Sequence, residues 1–267
     1  MLSPRARHVL CEQRWINLKL ADFEIPTFIV SVFLSLKSWS AWYGDLVRVN
    51  RLRVPIHQRS ILFGAPLFSL GFVFIILRKL AATDVRGDPL YIAFYLLVGA
   101  AWVGGATLVF PFLGISARDD ILERGNIASE WAVVGALAGI SCSFAGANIG
   151  NGPGVAAVVF SSILSSGLFL ALWFALDFLT SVSDAITIDR TKGAGIRLAG
   201  FLLGLGLLSG WSVAGGWGSA SATLKDFALF SWPAVVLTTV AAFVELAQRS
   251  SIGRQASSPQ LDCAAAV

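Results

Sequence analysis

Long apolar stretches alternate with short polar ones along this chain. About 20 apolar residues cross the hydrocarbon core of a bilayer as a helix. Seven segments reach that length: 25–46, 60–79, 89–113, 127–148, 154–178, 196–214 and 227–246. The pattern predicts an all-α fold, a polytopic transmembrane helix bundle of about seven spans. The first span is the most heavily interrupted, with Lys37 inside it and polar residues on both flanks. Residues 1–24 are mixed and polar and read as a tail, at most a short interfacial helix. No apolar core precedes residue 25, so this tail does not read as a signal peptide. Residues 247–267, with Ser, Gln and Pro, read as a disordered, solvated tail. Everything between the tails forms a single membrane bundle.

The polar connections repeat a grammar. Residues 116–154 run from a charged lead-in through an apolar, small-residue segment to a turn rich in Gly and Asn. A shift of 65 places Ser116 on Ser181, Asp119 on Asp184, Gly135 on Gly200, Gly139 on Gly204 and Gly150 on Gly215. Both copies open on Ser-x-x-Asp, the spacing with which a serine oxygen and an acid satisfy free amides at a helix start. Both carry Gly-x-x-x-Gly within the apolar run, which lets helix backbones approach closely. Two parallel helical-hairpin repeats, about 89–150 and 154–216, are therefore expected. Their pseudo-two-fold axis would lie along the membrane normal.

Composition agrees with the pattern. The chain is 56% hydrophobic and 13% charged, against about 25% charged in soluble domains. A net charge of +4 then bears on topology and anionic lipid, not on nucleic acid. The Lys and Arg of the loops 47–59, 114–126 and 179–195 and of the C-terminal tail fall on one side. The positive-inside rule makes that side cytoplasmic, with the N-terminus outside and the C-terminus inside. Trp39, Trp42, Tyr43 and Trp131 mark the inner interface, and Trp211, Trp217 and Trp232 the outer one.

Candidate chemistry is sparse. Cys11, Cys142 and Cys263 are scattered, and His8 and His57 are the only histidines, so no metal site or cofactor is expected. No nucleophile–base pair and no phosphate loop is present, which argues against an enzyme. Lys37, Glu130, Asp177 and Arg197 lie within or at the edges of spans. Charges in hydrocarbon tend to face the bundle interior and pair, so the four could close an inner mouth; snorkelling or helix-end capping is the plainer alternative. Gly125-Asn126 breaks the chain before the fourth span and could free backbone carbonyls, or simply join two helices. Asn148-Ile-Gly-Asn-Gly-Pro-Gly154 reads as a tight inter-helix connection or a lip carrying two amides. Gly135, Gly139, Gly200, Gly204, Gly206 and Gly210 read as helix-packing positions, with a glycine-lined pore wall as the alternative, and Ser161, Ser162, Ser165 and Ser166 as hydrogen-bonding within or between helices. Arg48, Arg51, Arg53 and Arg59 serve as a topology anchor or hold lipid headgroups.

Glu123-Arg-Gly-Asn-Ile-Ala128, followed by Gly135 and Gly139, resembles the two-helix repeat of an uncharacterised bacterial inner-membrane family, domain of unknown function 350. In that family a Gly-Asn-x-Ala motif introduces a glycine-rich helix; the second hairpin here carries Thr191-Lys-Gly-Ala instead. The resemblance implies a bacterial inner-membrane bundle over about 89–216 and no particular activity. The leading expectation is a non-enzymatic assembly or accessory subunit, in contact with membrane lipids and with copies of itself or other membrane subunits. A small transporter or channel is the alternative.

Overall fold

The computed structural model describes residues 4–49, 55–152 and 154–257, with side chains described over 23–49, 55–152 and 154–249. The described chain is helical almost throughout. Its helices are α1 (Pro4–Arg48), α2 (Ile56–Lys79), α3 (Thr83–Gly87), α4 (Pro89–Thr107), α5 (Ile127–Ala147), α6 (Val155–Thr180), α7 (Val182–Thr187), α8 (Lys192–Trp211), α9 (Ala220–Phe230) and α10 (Trp232–Ser257). Six segments are long and apolar enough to cross a bilayer: α2, α4, α5, α6, α8 and the stretch Ala220–Arg249. The expected first span, 25–46, lies within α1 but falls outside that set. Lys37 and a run of serines and tryptophans dilute it.

Both ends are more helical than expected. α1 starts at Pro4 and runs through the supposed tail without interruption, even past Pro26. α10 continues beyond residue 246 to Ser257. Polar residues with good helix propensity extend a helix once an anchored apolar stretch has supplied its costly nucleus. In contrast, the last span is broken at Ser231, where Pro233 sits in the first turn of α10 and cannot continue α9.

Side-chain contacts fix the direction of each helix. At one end Gln58 Nε2 reaches the Gly125 carbonyl at 3.5 Å, Asn126 Nδ2 donates to the Ile186 carbonyl at 2.7 Å, and Arg249 Nη2 donates to the Ser181 carbonyl at 2.7 Å. At the other end Ala81 forms an isolated parallel bridge with Gly150, and Gly215 N–H donates to the Ile149 carbonyl at 3.0 Å. Hence α2, α5 and α8 run one way, and α1, α4, α6 and α10 the other. Arg48, Arg59, Arg118, Arg124, Arg190 and Arg249 all gather at the first end, as the loop charges led one to expect. It is called the arginine-rich end below, and the opposite one the glycine-turn end.

α5 is the axis of the bundle. Of its apolar window 72% is buried, against 17% for the window in Ala220–Arg249. Its partner along the whole length is α8. A Cβ on Gly135 or Gly146 of α5, or on Gly195, Gly206 or Gly210 of α8, would fall within the backbone of the other helix. Only glycine lets two helix backbones come this close. The outward faces of the other helices carry side chains such as Phe68 and Phe178, 81% and 77% exposed. Contiguous apolar exposure on that scale fits a lipid environment. The protein is a polytopic membrane protein.

Candidate functional site

The two connections at the arginine-rich end are built differently. Residues Ala117–Glu123 wind as a π-turn, opened by Ser116, whose Oγ accepts from Asp119 N–H at 3.1 Å. The acid that reaches back to the Ser116 amide is Asp120, not Asp119 (Oδ2 at 2.8 Å). The wider winding moves the returning acid one position along. In the second connection Ser181 caps nothing with its side chain and has φ of 45°. There Asp177 takes over, its Oδ1 accepting from Ser183 N–H at 2.8 Å.

Past these turns the two connections share local geometry. Gly125 and Arg190, related by the 65-residue shift, have φ of 65° and 54°. Asn126 N–H donates to the Asp120 carbonyl, and Thr191 N–H to the Ala185 carbonyl, both at 2.9 Å. Gly150 and Gly215 are both left-handed, with φ of 111° and 148°. Asn126 is the N-cap of α5, Oδ1 accepting from Ala128 N–H at 2.9 Å and Ser129 N–H at 3.4 Å, while its Nδ2 ties the first hairpin to the second through Ile186. The Gly125-Asn126 break is thus a structured joint, with Asn126 Oδ1 accepting two bonds and Nδ2 donating one.

Among the described residues, no ion pair joins any two of Lys37, Glu130, Asp177 and Arg197. Lys37 is exposed. Asp177 caps α7 as described. Arg197 forms a bidentate pair with Glu245 of α10, at 2.6 and 2.7 Å. Glu245 lies within the last apolar stretch, and its equal claim as a charge in a span passed unnoticed in the sequence. Glu130 is 4% exposed and its Oε1 has no partner.

Of the glycines named from sequence, Gly135, Gly139, Gly206 and Gly210 lie on the α5–α8 seam. Gly204 instead faces Leu237 of α10, and Gly200 is exposed with open space around it. Gly195, outside the repeated spacing, also meets α5, at Ala128. Of the arginines, Arg51 and Arg53 lie outside the described residues, and Arg48 is exposed. Arg59 donates to the carbonyls of Leu46 and Val49. It closes the end of α1, where free carbonyls and the negative dipole end attract a cation.

The glycine-turn end holds a cavity of about 120 Å³. Two turns form it: Asn148–Gly152 after α5, and Ser212–Trp217 after α8, stitched by Gly215 N–H to the Ile149 carbonyl and Trp217 N–H to the Asn151 carbonyl at 2.8 Å. Asp84 from α3 and Asp226 from α9 flank the mouth, both exposed. Ser161 of α6 and Ser212 face the interior and are buried. Below them buried hydroxyls continue into the bundle. Ser165 Oγ donates to the Ser143 carbonyl at 3.2 Å, Ser143 and Ser166 share a 3.3 Å contact, and Trp102 Nε1 donates to Ser166 Oγ at 2.8 Å. Ser162 Oγ, fully buried, has no partner. Asn148–Gly152 is thus a wall of the cavity, with Asn148 and Asn151 both on its lining.

No protein-family model, curated protein or solved structure matches the chain. Among the described residues no group of His, Cys, Asp and Glu is placed to hold a metal ion.

Proposed function

We propose that this protein is a small, non-enzymatic transporter or channel of a bacterial inner membrane, loaded through the cavity at the glycine-turn end. One observation carries the reading: buried polar groups continue past the cavity floor into the bundle. Buried serines reach Ser166, eleven residues into α6, or about 17 Å at 1.5 Å per residue. That is roughly half of a hydrocarbon core about 30 Å thick. Serines in a span ordinarily hydrogen-bond within or between helices; here the fully buried Ser162 Oγ has no protein partner among the described residues and stays open to a solute. The glycine seam, by contrast, is filled by the protein's own α8, so it is not free to dock a partner.

The arginine-rich end faces the cytoplasm in this proposal, by the positive-inside rule, with the N-terminus outside. The two hairpins are read as an internal repeat, supported by the three conformational matches at 65 residues and by the resemblance to domain of unknown function 350. Membrane lipids surround the bundle.

Purified protein in liposomes should raise the flux of small ions or small polar solutes above that of empty vesicles. Flux indistinguishable from empty vesicles across such a panel would sink the proposal. An accessory role, alone or as a homo-oligomer, keeps one observation on its side. Exposed Gly200 leaves a notch on the outside of α8, with nothing within 4 Å of an added Cβ. Co-purification of a stoichiometric membrane partner lost in Gly200→Leu would favour that reading.

A further inference from the structure

The cavity's electrostatics specify its ligand more narrowly than the transport reading, on which this inference rests. α5 and α8 run parallel and end side by side, at Ala147 and Trp211, with the cavity between the turns that follow. The last four carbonyls of a helix have no partner within it, and its dipole places partial negative charge there. Two such ends converge here. The turns that follow already donate to the carbonyls of Phe144, Ala145, Gly146, Leu208, Ser209, Gly210 and Trp211, so what the ends offer a ligand is the negative dipole and the remaining lone pairs. Asp84 and Asp226 add two carboxylates at the mouth, while Asn148, Ser161 and Ser212 add neutral oxygens inside. Among the described residues no Lys or Arg lines the cavity, and Arg86, near Asp84 in sequence, donates to the Lys79 carbonyl at 3.2 Å. The fully buried, unpartnered Ser162 hydroxyl follows Ser161 in α6.

From this geometry we infer that the cavity is a binding site for a small monovalent cation, an alkali ion or ammonium, held by backbone carbonyls and hydroxyls and drawn in by Asp84 and Asp226. The size fits. A volume of about 120 Å³ holds an ion with a few waters, each taking about 30 Å³ in the liquid. The ligand chemistry fits as well: divalent ions are ordinarily bound through one or more carboxylates directly, whereas here both carboxylates are exposed and the buried oxygens are neutral. Helix C-terminal ends and unwound carbonyls are oxygen donors suited to sodium-like ions within membranes.

The test is radiolabelled sodium and rubidium binding to the full-length protein in detergent, at ionic strength held constant with N-methylglucamine chloride. Saturable binding of one of the two is expected, displaced by ammonium. The Asp84→Asn/Asp226→Asn double variant should bind about five- to tenfold more weakly, the size expected for partly screened rim charges. Asp119→Asn, at the opposite end, should bind as the parent does. Absence of saturable binding by helical, monodisperse protein would overturn the inference. So would binding unchanged in the double variant, or displacement by calcium at lower concentration than by sodium. Binding without flux in liposomes would leave the site standing and remove the transport reading. Flux of neutral solutes without cation binding would do the reverse.

Discussion

Arg197 and Glu245 are joined by two parallel hydrogen bonds, Nε to Oε1 at 2.6 Å and Nη2 to Oε2 at 2.7 Å, which pin the second turn of α8 to α10. The Glu245 side chain is 10% exposed and that of Arg197 34%. Loss of either partner leaves the other charge partly desolvated. Glu245→Ala should therefore lower stability in detergent by about 1.5–3 kcal/mol, the range for hydrogen bonds to charged groups. The exchange Arg197→Glu/Glu245→Arg should recover part of the loss, as read by thermal unfolding. An exchange no better than the single variants would show that the pair is not what holds α10.

The α5–α8 seam should tolerate no side chain where backbones touch. Gly139→Ala and Gly206→Ala each place a methyl against the other helix, where a Cβ on Gly206 meets the Gly139 carbonyl. Overpacking of this kind costs about 1–3 kcal/mol. Gly200→Ala has open space and a helical backbone, so it should be neutral or stabilising by up to about 1 kcal/mol. Melting temperatures of the three variants, ranked in one detergent, check the contrast.

Asn126 caps α5 and also reaches the Ile186 carbonyl of the other hairpin. Asn126→Asp keeps the acceptor for the cap but removes the donor to Ile186. Asn126→Ala removes both. The Ala variant should lose about 2 kcal/mol or more, a cap and a buried hydrogen bond together, and the Asp variant should fall between it and the parent. Equal losses would mean that only the inter-hairpin bond matters.

Sidedness is open to direct measurement. With the native cysteines replaced by serine, Arg190→Cys should react with a membrane-impermeant thiol reagent only from the cytoplasmic face, and Thr223→Cys only from the opposite face. Both residues lie in the structured ends described above. Labelling of Arg190→Cys in intact cells would invert the bundle.

Apolar segment length was enough to give an all-helical membrane bundle, because lipid offers the backbone no partner and forces each segment to satisfy itself as a helix. Loop arginines likewise gave the grouping of connections at one end. Both are properties of composition along the chain. The recurring Ser-x-x-Asp and Gly-x-x-x-Gly, by contrast, meet different contacts in their two places. Which glycines of α8 meet α5, which acid pairs with Arg197, and which acid answers Ser116 depend on rotation about helix axes and on winding, neither of which a period of identical residues encodes. The cavity was least visible of all. Its walls come from α3, α6, α9 and two glycine turns far apart in the chain, and only the parallel docking of α5 and α8 brings their carbonyl ends to one place.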